Sequence, residues 1–175
     1  MEFAEVVRRR RMCRGYRDED ISDEVLQSIL DLGLRFPSAG HTQPQELIVV
    51  RDPAIREELG RAAFGQMFLA EAPVVIAVVS DTRRSARRYG ERGVSFYSIV
   101  DGAFASLLLL LAAVDRGLGA AFVAAFDDEQ VSAVLGLPRH VRPIGLIPVG
   151  YCADRPHGLS RRAPGEIVHH ERYPG

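Results

Sequence analysis

The longest apolar stretch of the chain, from Ile99 to Leu118, has the character of a buried helix. Its residues are mostly leucine and alanine, which favour a helix, and the thirteen positions between Asp101 and Asp115 carry no charge. Apolar residues occupy every side of the predicted helix, so we expect it to be buried all round. Thirteen helical residues span about 20 Å, less than the ~30 Å hydrocarbon layer of a bilayer. The stretch therefore predicts a central core helix and no membrane span.

Four shorter apolar runs have the composition of buried strands, and amphipathic segments with capping residues separate them. The strands are predicted at 46–51, 73–80, 120–125 and 142–150. Helices are predicted at 2–11, from the cap Ser22 to Pro37, from the cap Asp52 to about Phe64, and from Asp127 to Leu135. Residues 83–92 are polar and predict an exposed helix or loop. Strands separated by helices indicate an α+β or α/β protein with three layers.

Length and composition indicate a single domain. The chain has 175 residues, of which 47% are hydrophobic and 26% charged, as is usual for a globular protein with a real core. A net charge of −1 argues against a nucleic acid or an anionic membrane as the partner. The two cysteines, Cys13 and Cys152, and the histidines lack metal-ligand spacing, and we see no secretory signal. The sequence thus predicts a cytoplasmic protein, in a reducing compartment, without a metal site.

Three segments carry side chains suited to binding a ligand. Consecutive arginines at 8–11, followed by Arg14, offer guanidinium groups that match phosphate oxygens, although a solvated basic helix end is the competing interpretation. The loop 36–44 brings together hydroxyl, imidazole and carboxamide groups before a buried strand, which suits a heteroaromatic edge or a polyol, or else a simple turn. Arg161 and Arg162, near the C-terminus, form a third possible anion site.

Taken together and in this order, several segments resemble the FMN-dependent nitroreductase family over most of the chain. The matching segments are Arg-Arg-Met-Cys-Arg-Gly-Tyr at 10–16, Phe-Pro-Ser-Ala-Gly-His-Thr-Gln-Pro at 36–44, Ala-Ala-Phe-Gly-Gln at 62–66 with Ala72-Pro73, 107–119 ending in Gly-Leu-Gly, Phe126-Asp127, Leu-Gly-Leu-Pro at 135–138, and Val-Gly-Tyr at 149–151. No single motif is diagnostic. Their common order favours ligand binding over the simpler interpretations of each segment.

The resemblance implies an α+β, three-layer nitroreductase-like fold. Its mixed sheet has four to five strands, with helices on both faces and the long central helix buried. Residues 1–175 would form one domain that pairs as a homodimer, and residues 152–175 would be a C-terminal arm exchanged with the partner subunit. We expect the central helices to pair through the small residues Gly102, Ala103 and Ser106.

The resemblance also implies where FMN binds, in a cleft between the subunits. The residues expected around the phosphate and the ribityl chain are Arg10, Arg11, Met12 and Arg14, with Arg161 and Arg162 from the arm. Those expected near the flavin ring, from the partner, are Pro37, Ser38, Ala39, His41 and Gln43. The strand residues Val123, Ala124 and Ala125 would present backbone N–H groups toward the flavin N5. No catalytic side chain is expected, because the flavin carries the chemistry.

The activity implied by the resemblance is a flavin-dependent oxidoreductase. Hydride from NADH or NADPH would reduce FMN, and a nitroaromatic, a quinone or a similar acceptor would then take the electrons at the same face, which is ping-pong kinetics. Two alternatives stay open: a family member with another role, such as a substrate dehydrogenase or a deazaflavin-linked reductase, and a non-enzymatic flavin-binding protein.

The sequence departs from the family pattern at four places. Met12 replaces a serine, His41 an asparagine, and Gln45 a tryptophan. Between Asp81 and Phe96 the chain is shorter than the helical lid of its relatives, so the choice of substrate transfers least well.

Overall fold

A four-stranded antiparallel sheet forms the middle layer of the protein. The structure, a computed structural model, describes residues 1–153 and 160–174. The strands are β1 (Gln45–Val50), β2 (Val74–Asp81), β3 (Gly119–Ala120) and β4 (Val141–Gly150). Their order across the sheet is β1-β2-β4-β3, and each neighbouring pair is antiparallel.

Helices cover both faces of the sheet. They are α1 (Phe3–Arg9), α2 (Asp23–Gly33), α3 (Pro53–Ala62), α4 (Phe68–Glu71), α5 (Thr82–Arg92), α6 (Ser98–Asp115), α7 (Asp128–Leu135) and α8 (Pro164–Ile167), with a 3₁₀ turn at Ala39–His41 and a π-helical stretch at Gly93–Tyr97. The side chains of Ser22, Asp52 and Asp127 accept backbone N–H bonds at the starts of α2, α3 and α7, as the sequence predicts.

Two hydrophobic cores lie on opposite faces of the sheet. On one face α2 and α6 pack against the sheet, and Ile29, Leu109 and Ile147 are fully buried there. On the other face α3, α4 and α7 enclose Leu59 and Leu146. Strand β2 is buried along its whole length because both cores need it. The predicted three-layer α+β fold with a long central helix is therefore confirmed.

The sheet contains less parallel pairing than the predicted mixed sheet. Within the described residues, parallel pairing is limited to one isolated bridge, between Met12 and Ala120. The strand predicted over 120–125 shortens to two residues, because regular pairing with β4 ends at Ala120. Beyond it the chain keeps only a bond from the Ala121 N–H to the Pro148 carbonyl (3.3 Å) and a bridge between Val123 and Leu146.

The small residues of α6 face the sheet rather than a partner helix, contrary to the prediction. Gly102, Ala105 and Ser106 are buried. A Cβ at position 102 would lie 2.7 Å from a methyl group of Ile144, so glycine is needed there for close packing of α6 on β4. Of the small residues expected to mediate helix pairing, only Ala103 is exposed.

The remaining side of α6 is exposed, so the helix is not buried all round as predicted. Ile99, Phe104 and Leu107 are 38%, 43% and 47% exposed. These three residues are called here the apolar face of α6. Phe3, in the adjacent α1, is 74% exposed and adds to the uncovered apolar side chains.

The helical run 82–115, which includes α5 and α6, is long and apolar enough by length and composition to cross a membrane. Half of its most apolar stretch of 18 residues is nevertheless buried inside the fold. This is the behaviour of the core helix of a globular protein, and α6 packs on the sheet and on α2 accordingly.

Cys13 and Cys152 are joined by a disulfide, which the sequence analysis did not predict. The expectation of a protein in a reducing compartment rested on the lack of metal-ligand spacing between these cysteines and of a secretory signal, and neither feature reveals a pairing across 139 residues. The fold brings them together because the segment after α1 lies between β3 and the chain that leaves β4. The Cys13 N–H donates to the Ala120 carbonyl (3.0 Å). The backbone of Tyr16 pairs with that of Cys152 in an isolated antiparallel β-bridge.

Residues 160–174 of the C-terminal arm are all exposed. Ile167, Val168 and Tyr173 are 55%, 53% and 85% exposed, and α8 is one short turn. Residues 154–159 of the predicted arm lie outside the described residues. The arm therefore contributes little to the cores of its own chain.

Candidate functional site

The segment 10–14, called here the arginine segment, runs along the sheet edge formed by β3. Met12 pairs with Ala120, and the Phe122 N–H donates to the Met12 Sδ (3.4 Å). Arg10 and Arg11 are half-buried and Arg14 is exposed. The structure thus gathers three of the predicted phosphate-binding arginines at one place, beyond the C-terminal end of α6. An Arg11 guanidinium nitrogen lies 3.4 Å from the Cys152 Sγ.

Residues 123–125 adjoin the other core and offer fewer backbone donors than predicted. The Val123 N–H donates to the Leu146 carbonyl (2.9 Å), which commits it to the fold. Ala124 and Ala125 are exposed, and no backbone partner within the described residues engages their N–H groups. The donors left for a ligand are therefore those of Ala124 and Ala125.

Gln66 holds the backbone at Ala125 in place, a role that was not predicted from the sequence. Its side-chain amide donates to the carbonyls of Ala125 (2.9 Å) and Ala63 (3.0 Å). Gln66 belongs to one of the family-like segments, which was the only available signal. Because the amide joins two backbone carbonyls, it ties the chain at Ala125 to the end of α3.

The segment 36–44, called here the Ser38 loop, is fixed from three sides. Within the loop, the Ser38 hydroxyl accepts the Gln43 N–H (3.0 Å). From α6, Asp101 Oδ1 accepts the Ala39 N–H (3.0 Å). From α5, Arg88 donates to the Gly40 carbonyl (3.0 Å), and Arg84 likewise to the Gln43 carbonyl (2.8 Å).

Two residues of the Ser38 loop have a left-handed backbone conformation. His41 and Gln43 have φ of 56° and 46°, and both are exposed, as is Pro37. Left-handed backbone is uncommon for residues other than glycine and asparagine, and it is retained where the surroundings determine it. The asparagine of the family pattern at position 41 suits this conformation better than histidine. The loop therefore presents its side chains outward at a cost in backbone strain.

Asp101 is a buried carboxyl that anchors the Ser38 loop to α6. Its side chain is almost fully buried, and the Oδ2 atom has no hydrogen-bond partner in the described structure. Burial raises the pKa of Asp101 above the ordinary value of an aspartate, and the bond from the Ala39 N–H offsets only part of this shift. The loop is thus held at the expense of burying an acid.

We expect Asp101→Asn to raise the free energy of unfolding at pH 7 to 8. The amide oxygen can still accept the Ala39 N–H, and no charge is then buried. In the wild type, the pKa of Asp101 is higher in the folded protein than in the unfolded chain. The stability that the protonated carboxyl contributes is therefore fully present below the unfolded-state pKa, and it is lost as the pH rises through the folded-state pKa. Urea unfolding of both proteins from pH 4 to 8 should show a difference that grows with pH.

The control for this prediction is Asp101→Ala, which removes the acceptor as well as the charge. It should cost about 1–3 kcal/mol at low pH, because the Ala39 N–H loses its partner, and less as the pH rises, because the variant no longer buries a charge. Parallel pH profiles for the wild type and Asp101→Asn would show that the buried carboxyl does not titrate differently in the fold.

The arginine segment and the Ser38 loop lie at opposite ends of α6. The loop contacts Asp101 near its start, whereas the arginine segment pairs with Ala120 beyond its end. From Asp101 to Asp115 the helix rises about 20 Å, at 1.5 Å per residue. Arg161 and Arg162 are exposed on the arm, where Arg162 pairs with Glu166 (3.1 Å). One chain therefore does not bring the predicted site residues into a single cleft.

Metal-binding chemistry has no support in the described residues, where no three His, Cys, Asp or Glu side chains are grouped as ligands. The groups present are guanidinium donors, backbone N–H groups and amide or hydroxyl side chains. Such groups suit a phosphorylated, polar and aromatic ligand.

Comparisons with known proteins agree on one family. A model of the nitroreductase family matches residues 7–71 and 65–151. The chain is 35% identical over 189 aligned positions to an NADH dehydrogenase of Thermus thermophilus, and the alignment covers 91% of each. It is 29% identical to an oxygen-insensitive NADPH nitroreductase of Salmonella typhimurium, over 92% of this chain and 70% of that protein.

The fold is shared as well. The crystal structure of a nitroreductase family protein from Streptococcus pneumoniae superposes with a TM-score of 0.86 at 27% identity. The superposition covers 96% of this chain and 99% of that one. The two chains therefore share one architecture along nearly their whole length.

Proposed function

The chain belongs to the nitroreductase family, and from that premise we propose that it is an FMN-dependent oxidoreductase. It takes hydride from NADH or NADPH and delivers electrons to a nitroaromatic, a quinone or a similar small acceptor. Oxidoreductase activity with a nicotinamide donor agrees with the names of its relatives. The identity of the flavin, the dimer and the alternating use of one site by donor and acceptor are our inferences.

The observation that carries the proposal is the separation along α6 of the arginine segment and the Ser38 loop, which are called here the two half-sites. Two chains that pair antiparallel through the apolar face of α6 would bring the arginine segment of one chain to the Ser38 loop of the other. The exposed Phe104 and Leu107 supply an apolar surface for this pairing. A symmetric pair then has two equal sites, each built from both chains.

Two sets of donors on the chain fit the parts of FMN. Guanidinium groups of Arg10 and Arg14 suit the phosphate, because each can form two parallel hydrogen bonds to its oxygens. The exposed N–H groups of Ala124 and Ala125 suit a ring atom that gains electron density. Bound FMN would supply hydride acceptance and release, so the protein needs to orient it and to leave one face open.

The exposed arm fits the same assembly. Its apolar residues, Ile167 and Val168, have no core to join in their own chain, and Arg161 and Arg162 precede them. We propose that the arm crosses to the partner and completes the phosphate site there. An interface of two helices and two arms would exceed the ~2,000 Å² typical of obligate dimers. We also propose that the protein works in the cytoplasm.

The proposal is tested by the flavin that the purified protein releases on boiling. We expect FMN at one per subunit, and NADH or NADPH oxidation that is accelerated by menadione. Release of FAD, or of no flavin after reconstitution with FMN, would overturn the proposal. Bound FMN without oxidation of either nucleotide would favour the alternatives, and reduction of the bound FMN by a reduced deazaflavin would identify the deazaflavin-linked one.

We expect Arg10→Ala to weaken FMN binding by about 10- to 100-fold, because a charge-assisted phosphate bond contributes roughly 1.5–3 kcal/mol. The control has to be an arginine outside the proposed site. Arg84 does not qualify, since it holds the Ser38 loop through the Gln43 carbonyl. Arg61→Ala is the better match, because Arg61 is an exposed arginine that pairs only locally with Glu57. Fluorescence titration of the apoprotein measures both variants, and equal losses would mean that the phosphate lies elsewhere.

A further inference from the structure

The disulfide between Cys13 and Cys152 occupies a position that links two parts of the proposed site. Cys13 stands between Arg11 and Arg14 in the arginine segment, and Cys152 is the second residue after β4, where the arm begins. The Cα atoms of the two cysteines are 6.0 Å apart. The bond therefore ties the arginine segment to the base of the arm.

Backbone pairing brings the two cysteines together independently of their sulfur atoms. The Ala153 N–H donates to the Gly15 carbonyl (2.9 Å), and the Arg17 N–H donates to the Tyr151 carbonyl (2.9 Å). The Tyr16 hydroxyl donates to the Cys13 carbonyl (2.7 Å), which holds the turn between them. Because these bonds do not involve sulfur, the cysteines should remain neighbours when the disulfide is reduced.

The surroundings of the two sulfur atoms are unequal. Cys13 is completely buried, whereas Cys152 is partly exposed and its Sγ lies 3.4 Å from an Arg11 guanidinium nitrogen. A positive group beside a cysteine stabilises the thiolate, which is the reactive form. Gly119 leaves the space for both side chains, since a Cβ there would lie 2.8 Å from the Cys13 Sγ. The arrangement is that of an accessible nucleophile with a buried resolving partner.

We propose that Cys13 and Cys152 form a reversible redox site whose closure strengthens flavin binding. The oxidant is a hydroperoxide, and the reductant is a dithiol of the cell. Intracellular disulfides are usually transient or redox-sensing, so a site of this kind also agrees with the proposed cytoplasmic location. The effect on flavin rests on the proposed function, whereas the redox chemistry of the cysteines does not.

Closure of the site proceeds in two steps that balance. The Cys152 thiolate attacks the terminal oxygen of the hydroperoxide and the O–O bond breaks. The departing oxygen takes a proton from solvent, which leaves a sulfenic acid and an alcohol, or water where the oxidant is hydrogen peroxide. The Cys13 thiolate then attacks that sulfur, the S–S bond forms, the S–O bond breaks, and water leaves. The two sulfurs lose two electrons and the hydroperoxide gains them. A dithiol reverses this by exchange through Cys152, becoming a disulfide itself while both cysteines regain their protons.

Thiol counting on the full-length protein tests the redox site. After dithiothreitol treatment and its removal under nitrogen, alkylation in denaturant followed by intact mass measurement should show two free cysteines. One equivalent of hydrogen peroxide should abolish both, with a peptide linking positions 13 and 152, and dithiothreitol should restore them without unfolding the protein. Two thiols that persist after peroxide, or a bond that dithiothreitol reduces only in urea, would overturn the proposal.

Stability and flavin affinity then test the coupling. Closing a loop this long should raise the midpoint of thermal unfolding by about 10 °C. The reduced protein should bind FMN about tenfold more weakly, because its arginine segment is less pre-organised. The double variant Cys13→Ser/Cys152→Ser should behave like the reduced protein whatever the redox conditions. Equal affinities in both redox states would overturn the coupling.

The two proposals fail in different ways. A protein that binds no FMN in either state but passes the thiol test would contradict the proposed function and leave the redox site intact. A protein that binds and reduces FMN but keeps both thiols free after peroxide would contradict the redox site and leave the proposed function intact.

Discussion

Deleting the chain after Ala153 should yield a folded monomer that no longer retains FMN. The cores on both faces of the sheet lie within residues 1–153, and the described arm is exposed, so its loss should cost the protomer little. The deletion removes Ile167 and Val168, which we expect to pack on the partner, and Arg161 and Arg162, which we expect at the phosphate. Light scattering after gel filtration measures the mass, and flavin fluorescence measures the binding.

Two finer variants separate the roles within the arm. Arg161→Ala/Arg162→Ala should weaken FMN binding and leave the dimer intact. Ile167→Asp/Val168→Asp should weaken the dimer first, because two carboxylates would have to be buried. A truncated protein that remains a flavin-loaded dimer would show that the arm is not exchanged. Circular dichroism and cooperative urea unfolding confirm that each variant is folded.

Leu107→Asp should dissociate the dimer. Because each proposed flavin site takes one half-site from each subunit, dissociation should also divide the sites. Leu107 is 47% exposed in the single chain, so a carboxylate there is well tolerated by the protomer. In a symmetric dimer the substitution occurs twice, and each carboxylate would be buried without a partner. We expect the dimer dissociation constant to rise by roughly 100-fold or more, which corresponds to about 2.7 kcal/mol. Sedimentation over a range of concentrations measures it.

The matched control is Met67→Asp. Met67 is 38% exposed and lies just before α4, against the sheet face opposite to α6. Its substitution introduces the same charge away from the proposed interface and should leave both mass and flavin content unchanged. Equal dissociation by the two variants would mean that the apolar face of α6 is not where the subunits meet.

Most of the fold could be predicted because its signals are local. The apolar runs of β2 and β4 and the caps Ser22, Asp52 and Asp127 lie next to the elements that they determine. The errors concern long-range geometry. Periodicity in α6 shows that all sides are apolar, yet only the position of Ile144 decides that Gly102 faces the sheet.

The candidate site could be predicted less completely, because its residues act through partners far along the chain. In the sequence, Asp101 marks only the polar end of a helix. The fold brings it within hydrogen-bond distance of the Ala39 N–H, 62 residues away. The same applies to Cys13 and Cys152, whose pairing depends on how the segment after α1 meets the end of β4. Gln66 gave no signal of its own beyond lying in a family-like segment.

The placement of the half-sites at opposite ends of α6 has a consequence for mixtures of defective chains. In the proposed dimer, each site takes the arginine segment from one chain and the Ser38 loop from the other. A chain that carries Arg10→Ala, paired with a chain that carries Asp101→Ala, would confine both lesions to one site and leave the second site wholly intact. Two inactive alleles co-expressed in one cell would therefore complement each other, and a single damaged copy would never be fully dominant.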